Sequence, residues 1–144
     1  MYLWYNICTM KYVYNRTCVY NIHYHIVWSV KYRNKVLSSE IAAFLCELLK
    51  SIGKEKGFSV DEVNVGFCDH VHCFVSAPPK LSITSIVRYL KGISGIQLFA
   101  KYPELRKSLW RGELWNGSYF VETIGSTNEE NIKKYIERQS RCQK

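Results

Sequence analysis

The sequence has no long apolar segment. No stretch reaches the roughly 18 apolar residues that a membrane-spanning helix needs. The N-terminal segment MYLWYNICTMKYVYNRTC is interrupted by Asn6, Lys11, Asn15 and Arg16, so it lacks the apolar region of a signal peptide. We therefore expect a cytoplasmic protein that does not enter a membrane.

The cysteines lack the spacing of a metal-binding cluster. The chain has six cysteines, no C-x-x-C pair, and mostly apolar residues around them, so we expect reduced cysteines in the core. The sequence also lacks internal repeats and low-complexity segments, and its 144 residues suit one domain. We predict a single domain at residues 19–144, preceded by an aromatic arm or edge extension at residues 1–18.

Acidic residues are few compared with basic ones. The chain has 20 Lys and Arg against 12 Asp and Glu, for a formal net charge of +8, and 15% of its residues are aromatic. Basic side chains displace counterions from phosphates, and exposed aromatic rings stack on unpaired bases. This balance favours a polyanionic partner such as single-stranded nucleic acid; a basic surface without any partner is the alternative.

Hydrophobic periodicity predicts seven elements in the order β-α-β-β-α-β-α. Strands are predicted at 19–33, 59–67, 70–77 and 119–125, and helices at 38–58, 82–102 and 126–139. This order is a split βαβ plan. We expect an α+β fold of the ferredoxin-like (RRM-like) type, with a four-stranded antiparallel sheet, helices on one face and a further C-terminal helix.

The segment CDHVHCFV, residues 68–75, concentrates metal-binding side chains on one predicted strand. Because strand side chains alternate, His70 and His72 share a face and can converge on one cation. Two alternatives stay open at this point: both are ordinary sheet histidines, or a structural zinc uses Cys68 or Cys73. Closed zinc ligation is disfavoured because Cys73 faces away from the histidines and Cys68 has no cysteine nearby.

The C-terminal segment KKYIERQ presents a tyrosine and an amide together. Tyr135 and Gln139 are spaced i and i+4, which places them on the same face of a helix. Tyrosine is a weak nucleophile at its usual pKa of about 10 and needs a cation on the attacked phosphate. An interfacial tyrosine and a solvated amide are the simpler interpretations of these two residues.

Five segments together resemble the single-tyrosine HUH transposases of small prokaryotic insertion sequences, the IS200-like family, where HUH denotes two histidines around a hydrophobic residue. They are VWSVKYRNKVL, DHVHCFVSAPPK, VRYLKGISG, YFVETIG and IKKYIERQ, spread over about residues 21–140. The resemblance implies a transposase that cleaves and rejoins single-stranded DNA at insertion-sequence ends and recognises subterminal hairpins. It also implies a homodimer, in which the HUH strand of one subunit can pair with the tyrosine helix of the other.

The same resemblance implies a role for each site residue. His70, His72 and Gln139 look like the ligands of Mg²⁺ or Mn²⁺, and Tyr135 looks like the nucleophile that forms a 5′-phosphotyrosine link. Basic residues outside the motif are candidates for phosphate contacts, although each is also an ordinary solvated charge: Lys31, Arg33, Lys35, Arg88, Lys91 and Arg111. Trp110 and Trp115 are candidates for contacts with unpaired bases.

Three other functions compete with the transposase. An HUH replication initiator or relaxase, and a domesticated repeat-associated nuclease, share the metal and tyrosine chemistry. A non-catalytic module that binds single-stranded nucleic acid shares the fold plan and the charge. Loss of a covalent DNA adduct on Tyr135→Phe separates the enzymes from the binding module.

Overall fold

A computed structural model describes residues 12–124, Lys134 and residues 136–138, and the structural statements below concern these residues. The elements, in chain order, are β1 (Val13–Tyr14), β2 (Val19–Tyr20), β3 (His23–Ser29), α1 (Ser39–Lys56), β4 (Ser59–Gly66), β5 (His70–Ser76), α2 (Ile83–Lys101) and β6 (Phe120–Ile124). Short 3₁₀ turns occupy Lys31–Arg33, Pro103–Ser108 and Trp110–Gly112.

The main sheet has four antiparallel strands in the order β4-β5-β3-β6. The first and third long strands thus lie beside each other in the centre, which is the arrangement of a split βαβ fold. The α+β prediction is confirmed. The N-terminal arm is described only from residue 12, and there β1 pairs with β2 in a separate two-stranded ribbon.

The first long strand is shorter than the predicted span of 19–33. It ends at Ser29 because neighbouring backbone groups take over the next donors: Val30 N donates to Asp69 O at 2.7 Å, and Lys31 N donates to Leu114 O at 2.8 Å. The chain then turns at Tyr32, whose φ is 60°. This turn carries three of the predicted DNA-contacting residues away from the sheet.

The two long helices cover one face of the sheet. Helix α1 begins after Ser38, whose side chain accepts from Ile41 N, and ends at Gly57, whose φ of 89° suits glycine. Its buried Leu45 and Leu49 belong to the main core, together with inward strand residues such as Ile26. Helix α2 begins after the equivalent cap Ser82, which accepts from Ser85 N. The helices therefore cover one face of the sheet, and the histidines lie on the opposite face.

A second, smaller apolar cluster lies on that opposite face. It consists of Phe74 on β5, Ile124 on β6 and Ile136, all buried. Lys134 and residues 136–138 are helical, as the C-terminal helix prediction requires. Among the helices that the structure describes, none is both long and apolar enough to cross a membrane.

Candidate active site

All four histidines of the chain lie on the sheet face opposite α1 and α2. His23 and His25 alternate with core residues along β3, and His70 and His72 do so along β5. Each is at most 8% exposed. Because β3 and β5 are hydrogen-bonded neighbours, the two His-x-His pairs lie side by side on this face, offset along the strands so that His25 is diagonal to His72. The sheet therefore collects every imidazole of the protein in one place.

The ring of His70 is oriented by the residue before it. Nδ1 of His70 lies 2.7 Å from Oδ1 of Asp69, and a carboxylate can only accept, so Nδ1 carries the proton. Arg33 Nη1 and Lys35 Nζ lie 3.7 and 3.8 Å from the same carboxylate. Metal coordination by His70 must then use Nε2, with Asp69 as the orienting partner that metal-binding histidines usually have.

The ring of His72 is held from the neighbouring strand. Its Nδ1 lies 3.1 Å from Nε2 of His25, and Nδ1 of His25 lies 3.1 Å from Oε1 of Glu122. Burial, followed by the nearby His70 and His25, lowers the pKa of His72 to about 4. His72 is therefore neutral at neutral pH, which is the form that binds a metal.

A tight turn at residues 66–69 connects β4 to β5 directly before His70. The predicted hairpin is present, and Asp69 N donates to Gly66 O at 3.1 Å across a four-residue turn. Both central residues have positive φ, 49° at Phe67 and 61° at Cys68, the geometry of a type I′ turn. Lys35 Nζ fastens the turn by donating to Phe67 O at 3.3 Å. Cys73 faces the helices and is fully buried, away from the histidines.

The described residues include two candidate metal ligands rather than a complete set. Within residues 12–124 and the four helical positions near the C-terminus, no group of three His, Cys, Asp or Glu side chains is arranged to hold a metal ion. Two oriented imidazoles nevertheless fit a divalent ion that takes further ligands from elsewhere. The predicted third ligand Gln139 and the predicted nucleophile Tyr135 lie outside the described residues.

The residue after Tyr135 is fixed to the histidine face. Ile136 packs against Phe74, two positions after His72 on β5. Its backbone carbonyl accepts a hydrogen bond from Nδ2 of Asn64, and Asn64 stands directly opposite His72 on β4. The C-terminal helical residues are thus attached to the same sheet face as the histidine pair.

A cavity of about 320 Å³ opens beside His70. Polar side chains and two exposed aromatic rings line it, Phe120 being 55% exposed; the lining includes Arg33, His70, Asn116, Ser118, Tyr119 and Phe120. Its size is at the lower end of the range for small-ligand sites. The cavity is large enough to hold one small chemical group beside His70.

The predicted DNA contacts form two groups. Lys31, Arg33 and Lys35 follow β3, where Lys31 is paired with Glu113 and the other two face Asp69. Arg111 is linked to this group by two ring contacts. Its guanidinium carbon is 4.2 Å from the ring centre of Trp110, and the Trp110 ring contacts the ring of Tyr32, which lies between Lys31 and Arg33 in the chain. Both aromatic rings are more than half exposed.

The second group lies on α2. Lys91 donates to the carbonyls of Asn116 and Ser118 at 2.5 and 3.3 Å, and burial lowers its pKa. These hydrogen bonds connect α2 to the loop at residues 116–118, which lines the cavity. Arg88 lies one turn earlier, with its guanidinium carbon 5.9 Å from the Tyr89 ring centre.

Sequence reasoning missed four residues of this face: His25, Glu122, Asn64 and Gly66. The segment HYH at 23–25 has the same spacing as HVH at 70–72, so its i and i+2 histidines were a usable signal. Glu122, Asn64 and Gly66 gave none, because their importance depends on which strands become neighbours.

Sequence comparisons identify relatives along most of the chain. The profile of the family described as "Transposase IS200 like" matches residues 18–139. The chain is 42% identical over 124 residues to the ISDra2 transposase TnpA of Deinococcus radiodurans, covering 86% of this chain and 88% of the relative. It is 32% identical over 120 residues to the transposase for insertion sequence element IS200 of Salmonella typhimurium, covering 83% and 78%.

Two solved structures have the same fold. A crystal structure of a Deinococcus radiodurans protein assigned to the transposases has a TM-score of 0.73 and 36% identity, covering 88% of this chain and 97% of that one. A REP-associated tyrosine transposase bound to a REP hairpin has a TM-score of 0.55 and 14% identity, covering 88% and 69%. Because the identity is only 14%, the similarity to this second structure shows the fold alone.

Proposed function

The chain belongs to the IS200-like transposase family, and we propose that it cleaves and rejoins single-stranded DNA at the ends of an insertion sequence. Membership in this family implies a DNA-processing enzyme. The observation that carries the chemistry is the oriented His70 and His72 pair on the sheet face to which Ile136, next to Tyr135, is attached.

Tyr135 is the proposed nucleophile. Its phenolic oxygen attacks phosphorus in line with the leaving group; the P–O3′ bond breaks, and a 5′-phosphotyrosine and a free 3′-hydroxyl result, with the phenolic proton released and the 3′ oxygen protonated. Bound Mg²⁺ or Mn²⁺ would supply positive charge to the scissile phosphate. His70 and His72 would hold that ion, and Gln139 is the proposed third ligand. Rejoining is the reverse attack by a 3′-hydroxyl of another end.

The cavity beside His70 is the proposed position of the nucleotide next to the scissile phosphate. Its polar lining suits a base edge, and the exposed Phe120 and Tyr119 rings offer stacking surfaces. Arg33 at its rim, with Lys35 close by, suits the flanking phosphates. Recognition of hairpins, a homodimer with shared active sites and a cytoplasmic location belong to the same proposal.

The test is covalent trapping of DNA. Single-stranded oligonucleotides from both strands flanking the gene, labelled at the 3′ end, are incubated with the protein and Mn²⁺ and separated on a denaturing gel. We expect a labelled protein band that EDTA, Tyr135→Phe and His70→Ala each abolish. Tyr14→Phe, an exposed tyrosine in the β1-β2 ribbon, is the matched control and should leave the band intact.

Two results would contradict the proposal. A band that persists with Tyr135→Phe would assign the nucleophile to another residue. Folded protein that binds these oligonucleotides equally with and without EDTA, and never forms the band, would favour a single-strand binding module.

A further inference from the structure

We propose that Glu122 and His25 position His72 for metal binding by fixing which nitrogen of His72 carries its proton. The inference rests on the proposed function only for the metal. It concerns two residues on other strands that act through His72, and neither is a ligand of the ion.

The hydrogen-bond chain determines the direction of each proton. The Glu122 carboxylate can only accept, so Nδ1 of His25 donates to it across 3.1 Å. With Nδ1 of His25 donating to Glu122, we assign Nε2 of His25 as the acceptor, so the proton in its 3.1 Å contact with His72 belongs to Nδ1 of His72. The lone pair of His72 is left on Nε2, the same nitrogen that Asp69 leaves to His70. Both imidazoles thus present the same atom to the ion.

The sheet register builds this chain. Glu122 stands directly opposite His25 in the β3-β6 pair. His25 pairs with Phe74 in the β3-β5 ladder, so His72 is its diagonal neighbour, within reach of a long or aromatic side chain. The two imidazole planes are nearly parallel, with an interplanar angle of 9° and ring centres 5.4 Å apart. Three strands therefore fix the plane of the His72 ring as well as its proton.

Burial of His25 strengthens its effect on the orientation of the His72 ring. His25 is 4% exposed, and the Phe120 ring packs edge-on against it at 6.3 Å. The hydrogen bond between His25 and His72 is buried, and a hydrogen bond shielded from water orients its partners more firmly than an exposed one. The Glu122 side chain, at the outer end of the chain of hydrogen bonds, is 44% exposed. Outer partners of metal-binding histidines typically change metal affinity about 10- to 100-fold when they are removed. His70 obtains its carboxylate from the adjacent residue, whereas His72 obtains one through a second imidazole.

The experiment reads the tautomer and the metal separately in the full chain. Imidazole ¹⁵N resonances of metal-free protein report which nitrogen of His72 is protonated, and four histidines make the spectrum simple to assign. Mn²⁺ affinity is measured by electron paramagnetic resonance without DNA. The variants are Glu122→Leu, which removes the acceptor, and Glu122→Gln, which keeps one. Glu55→Gln, an exposed glutamate at the end of α1, controls for the change in charge.

We expect His72 to carry its proton on Nδ1 in the unaltered protein and in Glu122→Gln. Glu122→Leu should move proton population to Nε2 and weaken Mn²⁺ binding by about tenfold or more, with a smaller loss in Glu122→Gln and none in Glu55→Gln. A proton on Nε2 of His72 in the unaltered protein would overturn the inference. So would unchanged tautomer and Mn²⁺ affinity in both Glu122 variants, or a protein that binds no Mn²⁺.

The outcome is separable from that of DNA cleavage. Protein with the expected tautomer and Mn²⁺ affinities, but without a covalent DNA adduct, would overturn the proposed function and support the positioning role. Covalent adduct formation with unchanged behaviour of both Glu122 variants would do the reverse.

Discussion

Gly66 and His70 face each other across the β4-β5 ladder, and a Cβ atom added to Gly66 would lie 2.3 Å from Nε2 of His70. The imidazole therefore occupies the space that any other residue at position 66 would fill. Glycine in a strand interior often marks such a close approach. Here it leaves room for the nitrogen that is proposed to bind the metal.

Gly66→Ala should displace the His70 ring and weaken Mn²⁺ binding by about tenfold or more, comparable to loss of an outer partner. Gly92→Ala is the matched control, because a Cβ there meets nothing within 4 Å. That exposed helix position should gain up to about 1 kcal/mol of stability with unchanged Mn²⁺ affinity. Calorimetric Mn²⁺ titration and urea unfolding measure both quantities. Equal Mn²⁺ affinities in the two variants would contradict the close approach.

Asn64→Ala should loosen the C-terminal helical residues. The carbonyl of Ile136 loses its buried donor, which costs about 1 to 3 kcal/mol. Amide hydrogen exchange should accelerate in peptides containing residues 134–138, and adduct formation should fall. The control Asn15→Ala changes an exposed asparagine in the β1-β2 turn and should leave that exchange rate unchanged. Unaltered exchange in Asn64→Ala would show that Ile136 is held by apolar packing alone.

Cys68→Gly should stabilise the protein by about 0.5 to 1 kcal/mol. Cys68 has a φ of 61°, where a side chain is strained and glycine is not, and the lower strain outweighs the extra freedom of glycine in the unfolded chain. Cys68→Ala removes the thiol but keeps the Cβ, so its urea midpoint should stay close to the unaltered protein. A stabilised alanine variant would mean that the thiol, and not the backbone, is unfavourable.

Ser94→Ala should destabilise the loop that lines the cavity. Ser94 is fully buried on α2, and Nε1 of Trp115 donates to its hydroxyl at 3.1 Å. Removing the acceptor leaves the N–H of a half-buried indole without its protein partner, at a cost of about 1 kcal/mol. In a double-mutant cycle with Trp115→Phe, the coupling measured by urea unfolding should therefore be clearly non-zero. Strict additivity would show that the hydrogen bond contributes nothing.

Local patterns predicted the elements and the HUH strand because their signals lie within a few residues. Alternation located β5 and the shared face of His70 and His72, and the 3.6-residue period located the two long helices, which begin after Ser38 and Ser82. The end of β3 was placed too late because its donors are taken by Asp69 and Leu114, which come from distant parts of the chain.

The support around the metal ligands was beyond sequence reasoning for the same reason. Glu122 reads as an exposed strand residue until the register places it opposite His25. Gly66 is an ordinary position of the predicted strand 59–67 until His70 is seen to lie over it. The roles of Tyr135 and Gln139 stay predictions from sequence, because both lie outside the described residues.

His70 and His72, the proposed metal ligands, differ in how much of the chain must be synthesised before each has its hydrogen-bond partners. Asp69 is the neighbour of His70, whereas His25 is 47 residues from His72 and Glu122 is 97 residues from His25. Contacts between residues far apart in sequence form late in folding, since they close the longest loops. On the ribosome, His70 therefore acquires its partner at once, while His72 waits until β6 has emerged. A nascent chain that has not yet emerged beyond β5 would therefore contain both histidines, but only the carboxylate partner of His70.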